Sequence, residues 1–154
     1  MKAISPTCLR TTLASLHLVP FGSERDAWPS LRPFFDKIPK RVQNGIVPET
    51  ILHRALTRHM LLWQIREGDV LTGAAATSDH TDNQGRFAML DAFAGDGWHR
   101  WGSEILNDFE RRARRAGMTR IRGGGRPGWI RELKRRGYVP VPGTAAFEKR
   151  LNDG

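Results

Sequence analysis

Apolar and polar positions along the chain recur in two periods, and each change of period marks an element. The strongest pattern spans residues 98–117. Trp98, Trp101, Ile105, Phe109 and Ala113 fall three or four apart, with Leu106 and Ala116 widening the same stripe, which is the spacing of an amphipathic helix. The other side carries Arg100, Glu104, Asp108, Arg111, Arg112, Arg114 and Arg115, acids early and arginines late, as the helix dipole favours. Gly117 is placed to end the helix in a left-handed conformation. Residues 118–122 then read as a short strand centred on Ile121, and residues 86–94 as a strand that runs through Gly95 and Gly97 into the helix. Strand, glycine-containing loop, helix and strand predict a parallel pair joined by a right-handed crossover.

Elsewhere the pattern is shorter. Residues 15–21 (SLHLVPF) alternate as an edge strand, since Pro20 costs a ladder donor. Ser23 to Asp26 match a helix start, and Trp28, Leu31, Phe34, Phe35 and Ile38 follow at helical intervals; Pro29, Pro33 and Pro39 predict that this helix is short or broken. Gln43-Asn44-Gly45 reads as a turn, and Pro48 opens a second helix through Ile51, Leu52, Ala55 and Leu56. Residues 60–66 and 70–77 form a hairpin about Glu67-Gly68-Asp69. The polar residues 78–85 (SDHTDNQG) read as a loop before the 86–94 strand, which completes a three-strand meander. Glycine-rich residues 123–128 lead to a short amphipathic helix with Trp129, Ile130 and Leu133 inward, ended by Gly137. Residues 138–141 and 145–151 are two last strands about Pro142-Gly143.

Composition narrows the class. A chain of 154 residues with 39% apolar and 27% charged residues fits one folded domain over 1–154. A net charge of +9, with the excess carried by residues 86–154, favours anionic partners. The single cysteine, Cys8, excludes an intrachain disulfide and a multi-cysteine metal site and fits a reducing cytoplasm. Arg10, Thr11, Thr12 and His17 interrupt the one faint export-signal pattern, and no run approaches the roughly 18 apolar residues of a membrane span. His53, His59, His80 and His99 show no metal-ligand spacing, so no metal is expected.

The order of elements, together with a short helix ending in Gly137-Tyr138, resembles the GNAT superfamily of N-acetyltransferases over nearly the whole chain. The resemblance implies an α/β (α+β) fold: a mixed, mostly antiparallel sheet with helices on both faces. The Trp98 helix would cover one face, and the N-terminal helices and the Trp129 helix the other. It implies acetyl-CoA as acyl donor and an amine as acceptor. In such proteins the loop before the long helix carries glycines whose backbone N–H groups, with the helix dipole, hold a pyrophosphate. The positions matching it are Gly97, His99, Arg100 and Gly102, with Phe93, Ala94 and Gly95 as the strand end that orients the thioester. Here Gly97 stands where Gln or Arg is usual, and Trp98 and Arg100 occupy sites where glycine is common. Either Arg100 and His99 contact phosphate through their side chains, or Trp98 and Trp101 simply pack in the core.

The family's tyrosine acid falls at Leu133, which cannot donate a proton, and Tyr138 fills a packing position. Asp91, on a strand parity shared with Phe87, Met89 and Phe93, is the carboxylate placed to act as general base. The arginines from Arg111 to Arg136 form either a solvated face or a surface for nucleic acid. The alternatives to an enzyme are therefore a catalytically silent GNAT-like binding or assembly protein, of the kind that small phage-encoded proteins resemble, and a nonspecific nucleic-acid binder.

Overall fold

The computed structural model describes residues 13–38, 47–125 and 127–151. Their elements are β1 (Ala14–Leu18), α1 (Glu24–Asp36), α2 (Pro48–Leu56), β2 (Leu61–Glu67), β3 (Val70–Asp82), β4 (Gly85–Gly95), α3 (Trp98–Arg115), β5 (Arg120–Gly123), α4 (Pro127–Arg135), β6 (Val139–Pro140) and β7 (Phe147–Arg150). The strands form one sheet in the order β1-β2-β3-β4-β5-β7-β6. Only β4 and β5 pair in parallel; every other neighbour is antiparallel. The mixed sheet, the edge position of β1 and the parallel crossover through α3 follow the sequence reading. Cys8, Pro39 and the Gln43-Asn44-Gly45 turn lie outside the described residues.

Two elements run longer than their local sequence implies. α1 continues through both Pro29 and Pro33. Both prolines are exposed, and Trp28, Leu31 and Phe35 are buried on the other side. The carbonyls of Arg25 and Pro29, which lose their donors, therefore sit toward water, and burial of the apolar face outweighs the lost bonds. Ser23 makes no side-chain cap; the Glu24 carboxylate instead accepts the Gly22 N–H at 2.8 Å. Residues 78–85 are not a loop. β3 extends to Asp82 and pairs with β4 through Ser78 and Met89, His80 and Phe87, and Asp82 and Gly85. The His80 ring stacks on Phe87 with centroids 5.3 Å apart, and the polar residues from Asp79 to Asp82 are exposed, as strand positions facing water allow.

The sheet divides two apolar clusters. On one face Trp101, Ile105, Leu106 and Phe109 of α3 pack with Leu133 of α4 and with Trp63, Ile65, Leu90 and Ile121 of the sheet. On the other, Trp28, Leu31 and Phe35 of α1 and Ile51 and Ala55 of α2 pack with Leu62, Ala74 and Ala76. α4 therefore lies in the α3 layer, not with α1 and α2 as the sequence reading had it. A buried carboxylate fixes this. Glu110 of α3 accepts hydrogen bonds from Tyr138 Oη at 2.8 Å, Lys149 Nζ at 3.1 Å and Arg136 Nη2 at 3.3 Å, which ties α3 to the end of α4 and to β7. Ala116, read as widening the apolar stripe, is exposed; Gly117 does adopt a left-handed φ of 83°.

A second polar cluster closes the far end of the sheet. Arg120 on β5 is 1% exposed. Its guanidinium donates to Asp82 at 2.6 and 3.0 Å, to the Gly85 carbonyl at 2.9 Å and to Glu148 at 3.3 Å, and it lies 4.8 Å from the centre of the Phe87 ring. It thus joins the β3–β4 hairpin to β5 and β7. Arg120→Ala should lower the unfolding free energy measured by urea titration by about 1–3 kcal/mol, for the loss of a buried guanidinium with its hydrogen bonds and its packing on Phe87. The hydrogen bond from Arg120 holds the Asp82 carboxyl below its ordinary value of 3.8. Its contribution to stability is complete above that value and is lost as pH falls through the lower folded one. Acid unfolding should therefore be less steep in Asp82→Asn than in the parent.

Candidate functional site

β4 and β5 are paired over three positions, Phe87 with Arg120, Ala88 with Ile121 and Met89 with Arg122. β4 then continues to Gly95 along β3, while β5 ends at Gly123 and the chain turns away into α4. Between them is a cleft of about 600 Å3. The second edge of β4 from Leu90 to Gly95 faces it without a strand partner, so backbone N–H and C=O groups are presented to whatever enters. Gly123 and Gly124, at the start of the glycine-rich stretch before α4, make this shape. A Cβ on Gly124 would stand 3.1 Å from the Ala145 carbonyl, and one on Gly123 3.3 Å from the Leu90 side chain; larger residues would push the β6–β7 loop and β5 away.

Asp91 sits where β4 bulges. Ala76 pairs with Ala92 and Thr77 with Leu90, so Asp91 is the extra residue. The bulge resets the strand parity. Phe93, expected on the same face as Asp91, lies instead on the α3 side, its ring 4.8 Å from that of Trp129 and 5.9 Å from that of Trp101. Asp91 lines the cleft, and its Oδ2 is buried with no hydrogen-bond partner among the described residues. Burial pushes its carboxyl above the ordinary value, opposed in part by a hydrogen bond from Ser78 and by the charges of His80 and Arg54. The Ser78 Oγ lies 2.8 Å from His80 Nε2. With the hydroxyl donating to Asp91, the ring N–H donates to the hydroxyl, and the exposed His80 ring ends a hydrogen-bonded path from the carboxylate to water. Ser78 and His80 were missed because their segment was read as loop. The signal was present: Ser-x-His at strand spacing opposite a Phe87–Met89 pair.

At the start of α3 the residues matched to phosphate binding divide. Ala94 and Gly95 line the cleft with Phe93. Gly97 is the N-cap, with φ 75°. The Arg100 guanidinium folds over Gly97 and pairs with Glu67 at 2.8 Å, which raises its already high pKa further. Arg100 is thus held beside the helix start and is not directed into the cleft by a partner there. His99 is exposed and lines a separate cleft of about 550 Å3 with Ser103, Arg135, Arg136 and Lys149. Gly102 is buried under two indoles: a Cβ would lie 3.3 Å from both the Trp98 and the Trp129 rings. Those rings meet edge to face, 5.7 Å apart. Trp101 packs in the core and donates its indole N–H to the Asp96 carbonyl at 2.8 Å, whereas Trp98 is half-buried and lines both clefts.

Leu133 is fully buried among apolar side chains. Tyr138 is also buried, and desolvation together with the Glu110 carboxylate pushes its hydroxyl far above the ordinary tyrosine value; it is held in place and is not poised to release a proton. Much of the basic run is spent internally. Arg111 and Arg112 pair with Asp108, Arg114 donates to the Leu151 carbonyl, Arg122 pairs with Glu148, Arg135 with Glu132 and Arg136 with Glu110. Arg115 and Arg131 have no such partner among the described residues, and Arg126 lies outside them. Among the described residues no group of three His, Cys, Asp or Glu is placed to hold a metal ion, and no helix is long and apolar enough to cross a membrane.

No protein-family model matches the sequence, and comparison with curated proteins gives no match. Solved structures do match. An acetyltransferase of the GNAT family from Staphylococcus aureus Mu50 aligns over 90% of this chain and 100% of its own, with 15% identity and a TM-score of 0.60. An agmatine N-acetyltransferase in its apo form aligns over 90% and 99%, with 10% identity and a TM-score of 0.65. AtaTR bound with AcCoA aligns over 90% and 93%, with 11% identity and a TM-score of 0.60. The parted β4 and β5, the bulge and the helix that follows thus belong to a chain whose fold is that of the GNAT acetyltransferases.

Proposed function

We propose that the protein is an N-acetyltransferase that moves an acetyl group from acetyl-CoA to an amine. The observation that carries this reading is the buried Asp91 carboxylate, with Oδ2 unpartnered, on a bulge at the point where β4 leaves β5. The fold shared with acetyltransferases, one of them described as bound with AcCoA, supports it.

Acetyl-CoA supplies a thioester: the amine nitrogen bonds to the acetyl carbon as the carbon–sulfur bond breaks, and the thiolate leaves to take a proton. The residues present leave room for an extended chain. The free edge of β4 from Leu90 to Gly95 offers backbone groups to a pantetheine amide and to the thioester oxygen, and Gly123 to Gly125 and Gly128 form the opposite wall. The first-turn N–H groups of α3, with Gly97 as N-cap, offer a pyrophosphate partners, and the exposed His99 side chain lies next to them. Asp91 takes the proton that the ammonium must lose, and its raised pKa makes it the stronger base. The proton leaves with the hydrogen bonds reversed: protonated Asp91 donates to the Ser78 hydroxyl, which donates to the lone pair of His80 Nε2 at the surface. Neither Leu133 nor Tyr138 serves the thiolate, so its proton comes from water.

One observation favours a second reading, a silent GNAT-like binding domain: Arg100 is neutralised by Glu67 over Gly97, and the Trp98 ring closes against Gly102 and Gly128. Calorimetric titration separates the two. Acetyl-CoA should bind saturably and one to one at moderate salt, and Trp98→Ala should retain or tighten it. Association that disappears with salt, as any polyanion gives with a basic protein, would leave the silent domain.

Asp91→Asn should lower kcat/KM by roughly 10²-fold or more, the usual contribution of a positioned base, while leaving acetyl-CoA affinity unchanged. The parent should lose activity on acidification through the raised Asp91 pKa, and the variant should lack that limb. A carboxyl whose folded pKa is raised stabilises the fold when protonated, and that contribution is lost as pH rises. At neutral pH the variant should therefore melt at a higher temperature than the parent.

A further inference from the structure

We infer that the acceptor is an apolar primary monoamine, an aryl- or alkylamine with a single ammonium group, and not a polyamine or a lysine-rich peptide. This deepens the acetyltransferase reading and rests on it. The juxtaposition that carries it is one carboxylate with a buried oxygen in a wall that, among the described residues, is otherwise without charge.

Of the described residues that line the cleft, Asp91 is the sole ionisable one, and Thr144 is the sole other side chain with a polar atom besides the tryptophan indoles. Asp91 faces the α1–α2 side of the sheet, where Arg54 of α2 and His80 of β3 act on it. On that side the cleft is flanked by Ile38, Ile51 and Met89. The donor's phosphates need N–H groups and cations, and these lie at the start of α3, on the opposite side. The amine must therefore reach Asp91 past Ile38, Ile51 and Met89.

One ammonium finds a partner at the end of that path, in Oδ2, which lacks one among the described residues. A second ammonium on the same molecule does not. Among these side chains it would be desolvated without a counter-charge from the described residues, and near Asp91 it would meet the Arg54 guanidinium. Approach is unfavourable too, because a chain of net charge +9 repels a polycation. An apolar tail, by contrast, gains by leaving water for the isoleucines and the Met89 side chain.

The test uses the full-length protein and two readouts. In the first, purified protein and acetyl-CoA are supplied with 2-phenylethylamine, hexylamine, spermidine, agmatine or a lysine-containing peptide, and thiol release is followed. 2-Phenylethylamine or hexylamine should exceed every polycation in kcat/KM by about tenfold or more, the size of one unpaired charge left in a dry site. In the second, 2-phenylethylamine and its neutral analogue 2-phenylethanol are titrated without acetyl-CoA. Asp91→Asn should weaken the amine by about tenfold and leave the alcohol unchanged, as loss of one charge-assisted contact predicts. If acetyl-CoA binds but spermidine, agmatine or the peptide is the better acceptor, or if no amine is acetylated, the acceptor class is wrong while cofactor binding stands. If acetyl-CoA does not bind, the acetyltransferase reading falls and takes the acceptor class with it.

Discussion

A parallel strand pair held over three positions leaves the longer strand with one edge satisfied and one edge open, and the site depends on that arrangement. β4 outlasts β5 because β5 reaches the glycine run and turns, not because β4 lacks a neighbour further on. Its backbone remains fully extended along β3, so the open edge is held rigid by ladder bonds on its other side. A bulge in such a strand rotates the residues after it by one face. Phe93 is thereby delivered to the aromatic layer under α3 and α4, and Asp91 remains directed to the opposite side.

The two ends of the β4–β5 junction are held by different forces. At the closed end, the buried Arg120 guanidinium collects Asp82, Glu148 and the Gly85 carbonyl through directional bonds that hold one register. At the open end, the contacts are aromatic: Phe93, Trp98, Trp101 and Trp129 meet at centroid distances between 4.8 and 5.9 Å. Aromatic pairs tolerate several offsets with little loss. The junction is fixed where the strands join and adaptable where a ligand would enter.

The parts of the fold that the sequence revealed are those whose burial is decided by their own residues. α3 was legible because Trp101, Ile105 and Phe109 alternate with charge at a period that no strand has. The hairpin of β2 and β3 and the turn glycines were legible for the same local reason. The errors came where a partner distant in sequence decides. Pro29 and Pro33 look like helix breakers until the apolar face of α1 is seen packed on the sheet. The end of β3 looks like a loop until Arg120, far along the chain, is seen to hold Asp82. Asp91 stands out in the sequence as an acid on an apolar strand, but its bulge depends on the register of β3, and Ser78 and His80 come beside it only with that register. α4 was assigned to the wrong layer because its short stripe does not say which face it seeks; Glu110, on another helix, decides that.

The Glu110 cluster has a mechanical consequence. One carboxylate receives donors from Arg136 and Tyr138, in the turn that ends α4, and from Lys149 on β7. Separating α3 from α4 would break the Arg136 and Tyr138 bonds together and expose a buried charge, so the two helices behave as one jaw. The other jaw is built differently: Thr144, Ala145 and Ala146 border the cleft on a short loop, joined to the Glu110 cluster through β7 at one of its two ends. Any widening of the cleft then swings on that loop and on the α1–α2 flank, so the flank bordered by α1 and α2 is the compliant one and the α3–α4 wall is stiff.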